Sequence, residues 1–360
     1  MKILRPISIL ASALMLTASA VAQVSLTPPG AETPAASKPA AKPKAKPPAA
    51  AKKPEAPAVT AKPAAPPAAP TATVTPAPPP DDTNIDLVFG AYQRGQYKTA
   101  LELATKRAQE NGDPKAMTML GELYANAMGV KRDYATAAEW YKRAADGGDR
   151  DGMFALAMLR LSGRGGPVNR EEAVKLLASS AKLGNPKAAY NLALLYLDGQ
   201  TLPQDLKRAA ELLRLAADAG NPEAQYALAT FYKEGTGVEK DIDKAVRLLQ
   251  AASLADNVDA EVEYAIALYN GTGTPKNEAA AVALLRKAAK QNSPIAQNRL
   301  ARVLVSGQGA PMDKIEGLKW HLVAKTAGRG DPMLDEALAD LSPEDRAKAE
   351  AAARKWLGAK

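Results

Sequence analysis

A period of 36 residues runs through the C-terminal two thirds of this chain and constrains its fold more than any other feature. The same step relates an apolar residue and the small residue after it in six consecutive copies. These pairs are Leu120-Gly121, Leu156-Ala157, Leu192-Ala193, Leu228-Ala229, Tyr264-Ala265 and Leu300-Ala301. Six copies in register without a gap predict that each copy is one supersecondary unit of a repeat protein.

Within each copy the pattern predicts two antiparallel helices. In 185–220, Asn185 and Pro186 are an N-cap and a first-turn proline, and apolar residues then recur at helical spacing. Gly199 favours a left-handed C-cap that ends the first helix. The second helix is predicted to begin after an Asp or Asn that recurs every 36 residues along the chain. These residues are Asp133, Asn169, Asp205, Asp241, Asn277 and Asp313.

A single helix pair cannot cover its own apolar side, so neighbouring pairs must stack. The predicted fold is therefore all-α, a right-handed α-solenoid of stacked helix pairs. The six repeats span 113–330, a degenerate repeat precedes them at 85–112, and capping helices follow at 331–360. An incomplete repeat at the start and a final helix with a charged outer face are typical of the ends of a repeat array, where no further repeat follows.

The first 84 residues have a different composition. Residues 1–22 combine a basic start, an apolar stretch over 7–16 and small residues at Ala20-Val21-Ala22, which predicts a cleavable signal peptide. Ala18-Ser19-Ala20 is an alternative cleavage site, and an uncleaved anchor or a buried helix is the alternative to a signal peptide. Residues 23–84 hold seventeen of the 28 prolines and seven lysines, which predicts a disordered Pro/Ala/Lys-rich linker. Periplasmic or secreted localisation follows, with no transmembrane segment after signal removal.

The repeat motif resembles the Sel1-like repeat, a variant of the tetratricopeptide repeat. The first copy carries the residues of that motif in order: Ala116, Leu120, Gly121, Tyr124, Gly129, Val130, Asp133, Ala137, Trp140, Tyr141, Ala144 and Ala145. The resemblance covers about 113–330. It implies a tetratricopeptide-like solenoid whose concave groove binds a protein or peptide.

In such solenoids the first helix of each repeat lines the concave side. Carried over to this chain, the resemblance implies a lining that is more apolar and aromatic than an ordinary solvated face. The residues are Phe154, Met158, Tyr190, Leu194, Tyr226, Thr230, Ile266, Tyr269 and Arg302. The alternative is that several of them pack against the adjacent repeat.

Composition excludes several kinds of chemistry. Cysteine is absent and His321 is the one histidine, which excludes disulfides, thiolate sites and histidine-cluster metal sites. Residues 85–360 carry 38 Lys and Arg against 35 Asp and Glu, although the whole chain has a formal charge of +8, so nucleic-acid binding is not expected. The glycine pairs near Thr236 and Thr272 lack the strand and lysine of a phosphate loop. His321 is expected to pack rather than to catalyse, and no cofactor or metal is expected.

Two functions are consistent with these features. The first is a non-catalytic exported scaffold or adaptor that binds a partner protein or peptide in the groove, and the resemblance suggests a regulator of envelope signalling. The second is a cell-envelope protein associated with peptidoglycan or polysaccharide, which the lysines of 23–84 would bind. The second function would extend to glycan binding or hydrolysis, but no set of residues supports hydrolysis, so the chain is not expected to be an enzyme.

Overall fold

The computed structural model describes residues 86–358, and over that range the chain forms sixteen helices and no strand. The predicted signal peptide at 1–22 and linker at 23–84 lie outside the described residues. The repeat prediction is confirmed: consecutive pairs of helices follow the 36-residue step and stack as an all-helical solenoid.

Each repeat contributes a first and a second helix, and all twelve of these helices have 13 residues. A shorter pair precedes the repeats, formed by α1 (Leu87–Gln93) and α2 (Tyr97–Asn111). The first helices are α3 (Pro114–Asn126), α5 (Arg150–Ser162), α7 (Pro186–Asp198), α9 (Pro222–Glu234), α11 (Val258–Asn270) and α13 (Pro294–Ser306). The second helices are α4 (Tyr134–Asp146), α6 (Arg170–Lys182), α8 (Leu206–Asp218), α10 (Ile242–Leu254), α12 (Glu278–Lys290) and α14 (Lys314–Thr326). The chain ends with α15 (Pro332–Ala339) and α16 (Pro343–Gly358).

The helices begin where the sequence places their caps. All six predicted N-cap side chains of the second helices accept backbone N–H bonds from the first turn. The Asp205 carboxylate, for example, accepts from the Arg208 amide at 2.9 Å. Asn185 does the same for the first helix α7, where it accepts from the Ala188 amide at 2.9 Å. These bonds satisfy amides that a helix start leaves without a partner inside the helix.

The first helices end on a left-handed residue. Gly199 closes α7 with φ 71°, and Ala127 takes the equivalent position after α3 with φ 58°. The next glycine in the loop lies too close to the neighbouring backbone to carry a side chain. At Gly165, a Cβ would lie 2.1 Å from the Tyr134 carbonyl oxygen, at the start of the preceding second helix. A loop with glycine at this position therefore packs directly against the repeat before it.

The core between the two helices of a repeat pairs a small residue with a large one. Gly121 of α3 lies against the Tyr141 ring of α4, where an added Cβ would approach within 2.4 Å of a ring carbon. The following four repeats place a buried alanine and a buried leucine at these positions, and the sixth places Ala301 and His321 there. Trp140, the tryptophan of the repeat motif, is only half-buried, with the Arg143 guanidinium 4.8 Å from the centre of its ring.

Adjacent repeats are also joined by polar contacts. The side-chain amide of Gln225 in α9 donates to the Ala217 carbonyl of α8, in the preceding repeat, at 3.2 Å. At the C-terminal end, α16 packs on α14, and the rings of Trp320 and Trp356 meet edge to face at 5.0 Å. The final helix thus covers the last second helix, which has no following repeat to cover it.

Candidate binding surface

One side of each first helix is left uncovered by the second helices. In α9 this side comprises Glu223, Tyr226, Ala227, Thr230 and Glu234, all of them half-buried or exposed. We call these five positions, with their equivalents at 36-residue steps in the other first helices, the inner face. Its members are neighbours along the helix because residues three and four apart share one side.

Charged side chains of different repeats approach one another on the inner face. Glu122 of the first repeat lies near enough to Lys187 of the third repeat for the two charges to interact. The pKa of Glu122 is raised, mainly by burial and further by Asp151, while Lys187 opposes the shift.

Asp259 of the fifth repeat also lies on the inner face, with its side chain exposed to solvent. Desolvation by nearby protein raises the pKa of its carboxyl, and the charge of Glu263 adds to the shift.

The structure brings eight of the nine predicted lining residues together on the inner face, all of them half-buried. They form two rows that follow the repeat step. One row comprises Phe154, Tyr190 and Tyr226, and the other comprises Met158, Leu194, Thr230, Ile266 and Arg302. The aromatic row and Leu194 also pack against the buried core, so these side chains are held in place by the fold.

Tyr269 does not join these rows. It lies three residues beyond Ile266 in α11 and is buried, 8% exposed. Its hydroxyl is 3.5 Å from the Gln308 carbonyl oxygen in the loop of the next repeat, to which it donates. The helical period turns this position away from the inner face and toward the loop, so Tyr269 packs between repeats.

Arg302 lies on the inner face but is engaged within the chain. Its Nε donates to Asp331 Oδ2 at 2.5 Å, and Asn298 donates to the same oxygen at 3.1 Å. Burial raises the pKa of Asp331, but the bonds from Arg302 and Asn298 outweigh it and hold the pKa below its usual value. This network closes the inner face at its C-terminal end.

Sequence reasoning missed the carboxylates of the inner face. Tyr226 lies near Asp259, Glu263 and Glu234, and Tyr190 lies near Glu223. Burial raises the pKa of both tyrosine hydroxyls, and these negative charges raise it further. The acids were visible as residues of the same helices, but only stacking brings a carboxylate of one repeat near the tyrosine hydroxyl of the repeat before it.

A cleft of about 280 Å³ lies at the N-terminal end of the inner face. The leading pair supplies Phe89 and Arg107 to it, and α3 supplies Met119 and Glu122. Phe89 is 48% exposed there. The cleft was not predicted because the weak first pair gives no register from which its contacts could be read.

His321 lies away from the inner face. It is fully buried at the leucine position of the sixth repeat, and its Nε2 is 2.9 Å from Asp335 Oδ1. His321 therefore packs in the core of the sixth repeat, and its contact with Asp335 joins α14 to α15. Within residues 86–358, no group of three or more acidic or histidine side chains is arranged to hold a metal ion. None of the helices in that range has the length and apolar character needed to cross a bilayer.

Stacked helix pairs with a polar-capped end and an uncovered inner face define a tetratricopeptide-like repeat solenoid. The model of the Sel1 repeat matches six consecutive segments, at 114–149, 150–185, 186–221, 222–257, 258–293 and 294–328. The chain therefore belongs to the Sel1 repeat family. Proteins built from Sel1 repeats generally mediate protein–protein interaction, and their repeat scaffolds are typically non-catalytic.

Solved structures of similar proteins agree with this fold. A Sel1 repeat protein from Oxalobacter formigenes is 24% identical, with a TM-score of 0.56, over 66% of this chain and 94% of that one. The protective antigen c5321 from uropathogenic Escherichia coli strains, which displays an SLR fold, is 25% identical, with a TM-score of 0.50. That match covers 75% of this chain and 67% of the antigen. A comparison with curated protein sequences finds no match.

Proposed function

We propose that this chain is a non-catalytic scaffold or adaptor that holds a partner protein or peptide on its inner face. The observation that carries the proposal is the row formed by Phe154, Tyr190 and Tyr226. These rings remain half-buried in the free protein, so a partner could still cover substantial apolar surface. The core fixes their positions, which lowers the ordering cost of binding.

Export to the cell envelope is part of the same proposal. It is supported by the basic start, the apolar stretch and the small residues of 1–22. The partner would then be an envelope or secreted protein, and the family resemblance favours a signalling role. Association of the lysines in 23–84 with a cell-wall polymer is compatible with this function rather than a substitute for it.

Site-specific photocrosslinking in intact cells tests the proposal. A photoreactive residue at Leu194 or Thr230 is expected to capture the same partner from both positions on the inner face. The control position is Leu215, which is 45% exposed on α8 and lies outside the inner face. A partner captured equally well from Leu215 would contradict the assignment of the inner face.

Substitution of the tyrosines provides a second test. Tyr190→Ala with Tyr226→Ala should remove most of the crosslinked product, because truncation of interface aromatics commonly costs 2 kcal/mol or more, about thirtyfold in affinity. Circular dichroism establishes whether the double variant folds. If the double variant does not fold, Tyr190→Phe with Tyr226→Phe replaces it. This protein keeps both rings, so crosslinking from Leu194 and Thr230 should still capture the partner.

A further inference from the structure

One arginine on the inner face has no partner in the described part of the chain. Arg299 of α13 is half-buried; its Nε is shielded from solvent, whereas its two terminal nitrogens are not. Within residues 86–358, no acceptor lies within hydrogen-bond distance of that Nε, and the guanidinium forms no ion pair. An arginine stays charged at neutral pH. Arg299 therefore carries a charge that has lost part of its hydration without gaining a hydrogen bond in exchange.

The neighbouring charges are engaged with other residues. Arg302, one turn further along α13, donates to Asp331 at 2.5 Å, so its charge is balanced within the chain. Glu263 is the equivalent of Arg299 in the preceding repeat, but it accepts from Lys233 at 3.1 Å. Burial lowers the pKa of the Arg299 guanidinium; Glu263 opposes this shift without reversing it, and Arg302 adds to it. One positive charge is thus left without a bonded counter-charge at this end of the inner face.

The adjacent arginine shows which group this part of the surface accommodates. Asp331 follows the sixth repeat, and one oxygen of its carboxylate accepts from both Arg302 and Asn298. The Asp331 side chain is only 2% exposed, so the chain itself fills the place beside Arg302 with an acidic side chain. Arg299 lies on the same side of α13, three residues before Arg302, because residues three apart are neighbours on a helix.

We propose that Arg299 binds the carboxylate of an Asp or Glu side chain of the partner that occupies the inner face. Its two terminal nitrogens would hold that carboxylate through parallel N–H bonds. A single uncompensated charge matches one carboxylate better than a doubly charged phosphate. Ile295, one turn earlier on α13 and 37% exposed, offers an apolar contact to the residues beside the acid. The inference rests on the proposed function, since it names a chemical feature of the partner.

An arginine that serves a ligand rather than the fold should be dispensable in the unbound protein. Arg299→Met keeps an unbranched side chain and removes the unpartnered charge, so the midpoint of thermal unfolding should be unchanged or higher. Arg302→Met is the matched comparison, because it leaves the buried Asp331 without its cation and should lower the midpoint. Circular dichroism of the full chain measures both. An equal loss in the two variants would show that Arg299 stabilises the fold and would overturn the inference.

Nuclear magnetic resonance of the full chain detects the bound carboxylate at the arginine itself. The observed signal is the Arg299 Nε–H, which is identified by its loss in Arg299→Lys. The probe is the tripeptide Ala-Asp-Ala, acetylated at its start and amidated at its end, and the comparison is the same peptide with Asn. The Asp peptide should shift the signal to a saturating value, and the Asn peptide should not. Equal shifts from both peptides would overturn the inference.

Two further ligands distinguish the source of the negative charge. One is acetylated Ala-Ala-Ala with an unblocked terminal carboxylate, and the other is inorganic phosphate. Both should shift the Arg299 signal less than the Asp peptide does at equal concentration and ionic strength. A larger shift from the terminal carboxylate would overturn the assignment to a side chain, and a larger shift from phosphate would overturn the assignment to a carboxylate.

Crosslinking in cells connects the arginine to the partner. With the photoreactive residue at Leu194 or Thr230, Arg299→Gln should lower capture of the partner by about tenfold or more, because hydrogen bonds between charged groups are among the strong ones. The matched control is Arg286→Gln, which removes an exposed arginine of α12 outside the inner face. An equal loss in the control would indicate non-specific attraction and would contradict the site.

The two proposals fail in different ways. If the tyrosine substitutions remove the captured partner while Arg299→Gln leaves its capture unchanged, the inner face binds proteins but the inference about Arg299 is wrong. If the Asp peptide shifts the Arg299 signal but the inner positions crosslink nothing in cells, the carboxylate site is supported and the scaffold function is contradicted.

Discussion

At the scale of single residues, the packing within each repeat depends on pairs of residues rather than on isolated positions. The small residue after the leucine of the first helix and the large residue of the second helix fill one volume between them. Gly121 accompanies Tyr141 in the first repeat, whereas Ala157 accompanies Leu177 in the second. The sequence alone suggests the need for a small residue here. Which large side chain it makes room for depends on how the two helices face each other.

This pairing predicts a compensated substitution. Gly121→Ala should destabilise the protein by about 1–3 kcal/mol, although alanine favours the helix, because its Cβ would overlap the Tyr141 ring. Adding Tyr141→Leu recreates the alanine–leucine pair of the next repeat. The double variant should therefore be more stable than the sum of the two single effects by about 1–2 kcal/mol.

Urea unfolding of the four proteins in this cycle measures the coupling. Full additivity would show that the ring and the added methyl group do not compete for the same space. The equivalent change Ala157→Gly in the second repeat is a control, since it removes a methyl group next to Leu177 and should destabilise in the ordinary way for a lost core group.

At the scale of elements, each helix is delimited by local chemistry. The caps at both ends are set by residues within one turn of the boundary, which is why the sequence predicts them well. The Asp205 side chain caps α8, and at the equivalent positions Asn169 and Asn277 cap α6 and α12. The chain thus uses Asp and Asn interchangeably at one structural position.

The cap of α8 should therefore distinguish the hydrogen bond from the charge. Asp205→Ala is expected to lower the free energy of unfolding by about 1 kcal/mol, because the Arg208 amide loses its acceptor. Asp205→Asn keeps the acceptor and should change stability by no more than a few tenths of a kcal/mol. Chemical denaturation of both variants compares them, and equal losses would indicate that the negative charge at the helix start matters more than the bond.

At the scale of the whole molecule, the repeats interact with their neighbours and with few others. Loop glycines such as Gly165 lie against the preceding second helix, and polar bonds such as that from the Gln225 side chain to the Ala217 carbonyl join neighbouring repeats. Stability in such an array is approximately a sum of repeat terms and nearest-neighbour interfaces. An exception lies on the inner face, where Glu122 and Lys187, two repeats apart, are close enough for their charges to interact.

Removing one whole repeat should consequently leave a folded protein. Deletion of 186–221 joins Asn185 to Pro222, which regenerates the Asn-Pro start of a first helix. The helical signal per residue in far-ultraviolet circular dichroism should be retained, with a lower unfolding midpoint because one interface is lost. Deletion of 186–203 is the control. It removes α7 alone and leaves α8 without its partner, so this protein should lose structure well beyond the deleted segment.

What the sequence determined by itself was everything that repeats locally: the period, the helix pairs, their caps and the glycines that end the first helices. These features depend on backbone hydrogen bonds and conformations within a few residues, so the printed letters are sufficient to predict them. Tertiary structure decided which side chains meet. It placed Tyr269 against the loop of the next repeat and left Trp140 half-buried. It also brought carboxylates of one repeat near the tyrosine of the previous repeat. Those outcomes depend on the rotation and curvature with which the pairs stack, and the period of a sequence does not contain the angle between its repeats.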